Sequence, residues 1–423
     1  MEYSILNCWT DDNRGDLGIM ISTINEIRRQ DSKAEIIGIS CFSKLDNYYS
    51  NAHNELKTYV DELYPAIFGV IVFRFGKFTS KSKIAKYLVS LFEAFRMALA
   101  IVLPKKISLK LLYSFERKTL NRIKKSDISI SKGGSIFTDY KTYRGTYALF
   151  RTCMFYFLLH KFNCPYFILG QSFGPIGSKF GSWLVNKVIK NSEGVYLREM
   201  ICKRKYTNIK YPNDKLSFSN DTAFLLDEEK IDINNIKKIN LNIGLTVRPT
   251  NKNFKEYKKS IIKTIIYFID KYDAHFHIFP QVIDPNEPDI KMGKTIYKDL
   301  PKQYRDNLVI HETNYNPEQL KYLYGLMNFF IGTRLHSNIF ALGAGTPSIS
   351  LVYHGTKAQG IYENLELNNL VVKPINAEEI INKGEYILEN HNEIQNKIIS
   401  SVEEAKITII NSIKEIISQT KTK

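Results

Sequence analysis

The stretch FFIGTRLHSNIFALGAGTPSISLV, residues 329–352, decides the fold class. Phe329–Gly332 is a short apolar run closed by a glycine. Residues 337–343 then carry apolar side chains at helical spacing, and residues 348–352 form a second short run rich in Ile, Leu and Val. A strand, a helix and a strand of these lengths make one βαβ unit, whose strands run parallel. The rhythm extends outward. Further strands are predicted at 240–246, 275–279 and 308–311, with helices near 257–271 and 317–325. The N-terminal half repeats it, with strands at 3–8, 35–40, 128–131, 166–170 and 194–197 and a helix at 18–29. This alternation exceeds one compact sheet. Two α/β domains are therefore expected, 1–230 and 231–423, with the polar stretch DEEKIDINNIKK (227–238) as linker. The tail 393–417 reads as one helix with Ile394, Ile398, Val402, Ala405, Ile409 and Ile413 on one face.

Composition narrows the function classes. Apolar residues make up 44% and charged residues 24% of the 423, the profile of a globular protein. Net charge is +16, and residues 77–125 carry 13 Lys/Arg against Glu93 and Glu116 alone. That concentration indicates either an anionic partner for this region or a lysine-rich solvated surface. The five cysteines, Cys8, Cys41, Cys153, Cys164 and Cys202, form no C-x-x-C pair and suggest a reducing compartment. The N-terminus has no basic region followed by an apolar core, so a cytoplasmic location is expected. Residues 84–103 are the best membrane candidate, but Lys86, Glu93 and Arg96 inside them exclude a clean transmembrane helix. Ile84, Tyr87, Leu88, Leu91, Phe92, Phe95, Leu99 and Val102 nevertheless form one helical stripe. The commoner reading of such a stripe is a core-facing helix. The basic flanks keep open an interfacial helix lying on anionic lipid.

The polar motifs fall after strands, at the carboxyl edge where parallel sheets bind ligands. NRGDLGI (13–19) follows the first strand; its Gly15 permits close backbone approach, and Asp16 either caps the helix or acts on a hydroxyl. SKGGSIFTD (131–139) and GQSFGPI (170–176) are two more glycine-rich strand ends, and neither is a dinucleotide fingerprint or a P-loop. In the second half, GLTVRP (244–249) ends a strand with Arg248. GTRLHSN (332–338) leaves a strand and opens a helix with Arg334, His336 and Ser337. Two arginines and a histidine beside a helix N-terminus form an anion site, for which phosphate is the natural guest. His275 and His277 alternate on a strand without further metal ligands, and are read as core or cross-strand packing. No D-x-D or ligand-spaced cluster is present, so neither metal nor cofactor is expected.

Together with YLRE (196–199), SNDTAFLL (219–226) and GTRLHSNIFALGAGTPSISLVYHGTKAQG (332–360), these motifs resemble the polysaccharide pyruvyl transferase family across nearly the whole chain. Two departures are Glu199, where the family commonly has Asp, and Thr222, where it commonly has Pro. The resemblance implies two Rossmann-like, GT-B-like domains with the active site in the interdomain cleft, the acceptor on the N-terminal side and the donor phosphate on the C-terminal side. It implies transfer of the pyruvyl group of phosphoenolpyruvate, a co-substrate, onto two hydroxyls of a surface-polysaccharide sugar, forming a ketal and releasing phosphate. Arg248 and Arg334 would hold the donor's anionic groups, His336 would act as acid, and Asp16 would take the hydroxyl proton. Asn13, Gly15, Gly133, Gly134, Ser135, Gln171, Ser337 and Lys357 would line the substrates. The expected partners are phosphoenolpyruvate, a saccharide acceptor, free or lipid-linked, and an anionic membrane surface, with the enzyme peripheral at the inner face of the cytoplasmic membrane. The same architecture hosts nucleotide-sugar glycosyltransferases, the alternative reading. A third reading, a non-catalytic anion-binding protein using 77–125 on nucleic acid, lacks any recognisable nucleic-acid module, and no nucleic acid is expected.

Overall fold

The protein is described from a computed structural model, over residues 1–69, 83–140, 142–232, 236, 241–248, 254–283, 288–353 and 355–421. Lys77, Lys81, most of 233–240 and Pro249 lie outside the described residues. In chain order the first elements are β1 (Glu2–Cys8), α1 (Arg14–Gln30), β2 (Glu35–Ser40), β3 (Glu62–Tyr64), α2 (Lys83–Val102), α3 (Lys105–Leu111), α4 (Ser114–Ile123) and β4 (Ile128–Ser131). There follow β5 (Gly134–Phe137), α5 (Tyr143–Lys161), β6 (Tyr166–Phe173), α6 (Lys179–Asn191), β7 (Gly194–Leu197), α7 (Ile201–Lys205) and β8 (Leu216–Phe218). The second half contains β9 (Asn242–Thr246), α8 (Phe254–Tyr272), β10 (His275–Ile278), α9 (Asp289–Asp299), β11 (Leu308–Ile310), α10 (Pro317–Gly325) and β12 (Phe329–Gly332). It closes with α11 (Leu335–Gly343), β13 (Ser348–Leu351), α12 (Lys357–Asn364), β14 (Val371–Val372), α13 (Ala377–Glu389) and α14 (His391–Lys421).

Two all-parallel sheets result. The first runs β3-β2-β1-β4-β6-β7-β8, with β5 added alongside β6, and the second runs β11-β10-β9-β12-β13-β14. Each begins at a central strand, winds outward one way, then returns to wind the other way, which is the doubly wound pattern. The strands are near-continuous apolar runs because both faces of each sheet are covered by helices; β4, β6 and β7 are buried along their whole length. Short edge strands such as β3, β8 and β14 escape a periodicity reading, since two or three residues carry no pattern.

Two compact units contain these sheets: Met1–Asp11, Ile19–Asp221 and Thr408–Lys423 form the first, and Asp12–Gly18 with Thr222–Ile407 form the second. The chain passes from one to the other at Asp221, upstream of the 227–238 stretch expected to link them. Glu229 is already held in the second unit, where its carboxylate accepts from Asn316 (2.6 Å) and Gln319 (2.9 Å) beside the start of α10. The tail is helical as expected, and Ile394, Ile398, Val402, Ala405, Ile409 and Ile413 are all buried.

The amphipathic segment corrects the commoner reading of its stripe. In α2 the apolar side chains are outside: Ile84, Leu88, Phe92 and Phe95 are 72%, 58%, 61% and 64% exposed. The buried face holds Ser90, Glu93, Arg96, Met97 and Ala100. Arg96 donates to Glu93 (2.7 Å) and Glu116 (2.7 Å), and Glu116 also accepts from the backbone of Phe68 and Tyr113. Burial works against the Arg96 charge, but the two glutamates outweigh it and hold its pKa above the ordinary value. Two of the charges that exclude a membrane-spanning reading, Glu93 and Arg96, therefore fasten α2 to its own domain. Among the described residues no helix is long and apolar enough to cross a membrane.

His277 packs as expected for a core side chain. Its ring lies 3.1 Å from His311 and 3.1 Å from Asn242 Oδ1. Burial pushes His277 down to about 3 and His311 down to about 4. An unfolded chain takes up protons on both near pH 6.5, whereas the folded one resists until far lower. Stability should therefore fall as pH drops below 6.5, by up to about 1.4 kcal/mol per pH unit for each histidine. Urea unfolding of wild type and His277→Gln at pH 7 and pH 5 checks this. An undiminished pH dependence in the variant would remove His277 from the account.

Candidate active site at the carboxyl edge of the second sheet

In the second sheet the winding direction reverses between β9 and β12, and ligands of such sheets bind outside the strand ends at that point. Arg248 follows β9 and Arg334 follows β12, so the two arginines flank the switch point. The strand ends are tied together: the Arg248 N–H donates to Tyr257 Oη (3.4 Å), and Tyr257 Oη is 2.9 Å from Thr333 Oγ1. The Arg248 guanidinium lies over the Tyr353 ring at 5.0 Å and donates to its hydroxyl, at the end of β13. Lys357 opens α12 beyond the same edge.

Arg334 is the N-cap residue of α11 and is clamped by Asp289. Its Nε donates to Asp289 Oδ1 (3.2 Å), and a terminal nitrogen donates to the same oxygen at 2.5 Å. Asp289 is fully buried and also accepts from the backbone N–H groups of Gln281 (3.1 Å) and Val282 (2.9 Å). Burial raises its pKa above the ordinary value, against the opposing pull of Arg334. The carboxylate thus aims the guanidinium and anchors the loop after β10. The Ser337 hydroxyl donates to Arg334 O (2.7 Å) and lies 2.7 Å from Thr246 Oγ1. Those bonds pin the first turn of α11, whose backbone N–H groups and positive dipole end face the strand edge. Gly332 is required here, because a Cβ would stand 1.9 Å from Asn338 Oδ1.

The NRGD turn belongs to this same unit. Asn13 bridges antiparallel to Val282, and the Arg14 N–H donates to Gln281 O (3.1 Å). Asn13 Nδ2 donates to Asp16 Oδ2 (2.6 Å), while the Asp16 N–H points back at Asn13 Oδ1 (3.4 Å), so the pair closes the first turn of α1. A Cβ on Gly15 would lie 2.3 Å from His336 Nδ1, so the glycine backbone packs directly on the imidazole. The structure therefore brings together Asn13, Gly15, Asp16, Arg334, His336 and Ser337.

Three buried residues of this cluster were not singled out from sequence: Arg14, Asp289 and Gln281. Arg14 is 1% exposed and donates to Asn314 Oδ1 in the loop after β11. Gln281 Oε1 accepts from Tyr324 Oη (2.8 Å), while its Nε2 is buried with no hydrogen-bond partner among the described residues. A buried donor of this kind calls for a partner, such as a bound ligand or an ordered water. Arg14 stands inside the quoted NRGD, and an arginine opening a helix was the available signal. Gln281 lies in the loop after β10 and Asp289 opens α9, and no motif marks either.

Gly133, Gly134, Ser135 and Gln171 are placed in the first unit. Gly134 and Ser135 open β5 rather than lying in a turn, and Gly134 pairs in register with Gln171 of β6. A Cβ on Gly133 would be 2.9 Å from Gly170 O. Arg198, 1% exposed, donates to Ser172 Oγ (2.9 Å) and Asp221 Oδ2 (2.7 Å). The GQS, YLRE and SND motifs thus converge on one buried network at the carboxyl edge of the first sheet.

Two doubly wound sheets with their polar motifs at the strand ends, and a long terminal helix, define a GT-B-like protein. Solved structures share the fold. UDP-N-acetylglucosamine 2-epimerase from Neisseria meningitidis, bound to UDP-GlcNAc, is 15% identical with a TM-score of 0.56, covering 99% of each chain. Anabaena HepE in complex with UDP is 10% identical with a TM-score of 0.57, covering 100% of each chain. At the level of sequence, the chain belongs to the polysaccharide pyruvyl transferase family, whose model matches residues 13–355. The amylovoran biosynthesis protein AmsJ of Erwinia amylovora is 26% identical over 306 residues, 68% of this chain and 71% of its own. The chain is thus a member of an enzyme family of sugar-modifying transferases.

Proposed function

We propose that the protein transfers the pyruvyl group of phosphoenolpyruvate onto two hydroxyls of a surface-polysaccharide sugar. The observation that carries this reading is the pair of arginines flanking the β9/β12 switch point, with His336 in the first turn of α11 beside them. Phosphoenolpyruvate is small and carries a phosphate and a carboxylate, so it asks for cations and N–H donors in a confined space. Arg248, Arg334 and the α11 N-terminus answer the two anionic groups, and Gln281 Nε2 supplies a further buried donor.

The chemistry balances as an addition followed by a displacement at one carbon. His336 protonates the methylene carbon while a sugar hydroxyl, losing its proton to Asp16, adds to the neighbouring carbon. This leaves a tetrahedral centre bearing methyl, carboxylate, phosphate and sugar oxygen. The second hydroxyl then displaces phosphate, its proton leaving with the phosphate, to close the ketal. The acceptor is a saccharide presenting two hydroxyls close enough to share one carbon.

Donor binding is measurable without knowing the acceptor. Calorimetric titration with phosphoenolpyruvate should give binding that Arg248→Ala and Arg334→Ala each weaken by about 1.5–3 kcal/mol, the worth of a charge-assisted hydrogen bond. Binding of UDP-glucose but not phosphoenolpyruvate would instead support a nucleotide-sugar glycosyltransferase and sink this reading.

A further inference from the structure

We propose that the first unit docks on an anionic lipid bilayer through the exposed apolar ridge of α2 and the neighbouring aromatic faces of α5 and α6. The topology puts these helices in one layer. The connections β3 to β4, β4 to β6 and β6 to β7 all step the same way along the sheet. Right-handed crossovers then lay their helices on the same face. α5 packs against both α2 and α6. Ring contacts join them: Tyr87 with Tyr143 at 5.8 Å, and Phe180 with Phe150 at 6.4 Å.

This layer is apolar where a solvated surface should be polar. Beside the α2 ridge it exposes Tyr143 (59%), Phe180 (50%) and Trp183 (57%). Contiguous exposed apolar surface of this kind marks an interaction site. What identifies the partner is the charge around it. Between Glu62 and Glu193 the chain carries 22 Lys/Arg and four carboxylates, Glu93, Glu116, Asp127 and Asp139. Glu93 and Glu116 are buried against Arg96, and Asp139 is buried, accepting from the Gly177 N–H. Asp127 sits at the amino end of β4, the sheet edge away from the functional loops. So α2, α3, α5 and α6 present no exposed carboxylate, while Lys105, Lys106, Lys110, Arg144, Lys179, Lys187 and Lys190 are exposed. A protein partner's helix would be met by charges of both signs. Exposed aromatic and aliphatic residues set in an exclusively basic surround match anionic headgroups over acyl chains.

Vesicle flotation tests this with equimolar phosphatidylglycerol and phosphatidylcholine. Wild type should float at low salt, and lose at least tenfold in bound fraction at high salt or on pure phosphatidylcholine. Leu88→Glu/Phe92→Glu, both exposed and outside the candidate active site, should lose binding at least tenfold while keeping the wild-type unfolding midpoint. Trp183 is a built-in reporter. The chain has two tryptophans, so in Trp9→Phe the remaining emission should shift to the blue on anionic vesicles. Wild type remaining at the bottom of the low-salt gradient overturns the proposal. So does a solution dimer that Leu88→Glu/Phe92→Glu dissociates without any vesicle binding, since the ridge would then belong to a second copy. Unchanged flotation of that variant also overturns it. None of these readouts depends on the donor or the acceptor.

Discussion

Asp289→Ala should lower the unfolding free energy by about 3–5 kcal/mol, the cost of breaking a buried ion pair from one side. The side chain is fully buried and joins three things at once: the Arg334 guanidinium and the N–H groups of Gln281 and Val282. Removing it strands a charge and two donors. The same loop is zipped to the NRGD turn through Val282 and Gln281, so the loss should spread to the seat of Arg14. Burial raises the Asp289 pKa against the pull of Arg334, and a buried pair in general adds little net stability over apolar packing. Its worth is positional. Arg334→Ala leaves Asp289 with two backbone donors, so it should cost less stability while weakening donor binding. Urea unfolding of the two variants separates anchoring from ligand binding. A loss below about 1 kcal/mol in Asp289→Ala, the range of an exposed pair, would refute the anchoring role.

His336→Ala should lower kcat by about two to four orders of magnitude, the range of a general acid, while KM for phosphoenolpyruvate changes only a few-fold. Gly15→Ala should reproduce much of that loss. Gly15 has an ordinary backbone conformation, and what its Cβ would strike, at 2.3 Å, is His336 Nδ1. The methyl group would also meet His336 Cβ at 2.5 Å, so it can be accommodated only by displacing the whole of His336 from its seat. Effects through a shared residue do not add, so in a His336→Gly background, which removes the Cβ as well as the ring, Gly15→Ala should cost little further turnover. Wild-type turnover in His336→Ala would remove the imidazole from the mechanism. Additive losses would show that Gly15 acts elsewhere.

The strands and helices that carry strong patterns are legible from the residues. The βαβ rhythm around residues 329–352, the terminal isoleucine stripe and the motif loops at strand ends follow from short apolar runs in strands covered on both faces and from a repeat of about 3.6 in helices. Arg334 and His336 are legible too, because a strand followed by a helix puts the residues between them at the carboxyl edge. Gln281 and Asp289 are not. Their role comes from meeting Asn13, Arg14 and Arg334, which lie far away along the chain, and local pattern carries no information about that encounter.

The α2 segment marks the boundary between the two kinds of information. A helix, its apolar stripe and its basic surroundings are written in the residues, because spacing and charge are properties of the chain. They leave open which side faces inward. A stripe normally turns to the core, where burying apolar area is favourable. Contacts distant in the chain reverse that choice: Glu116, held by the backbone N–H groups of Phe68 and Tyr113, pairs with Arg96, which also pairs with Glu93. A buried charge is tolerable only with such partners, and here they come from α4 and from the loop after β3. Once the charges turn inward, helix geometry sends the apolar stripe outward.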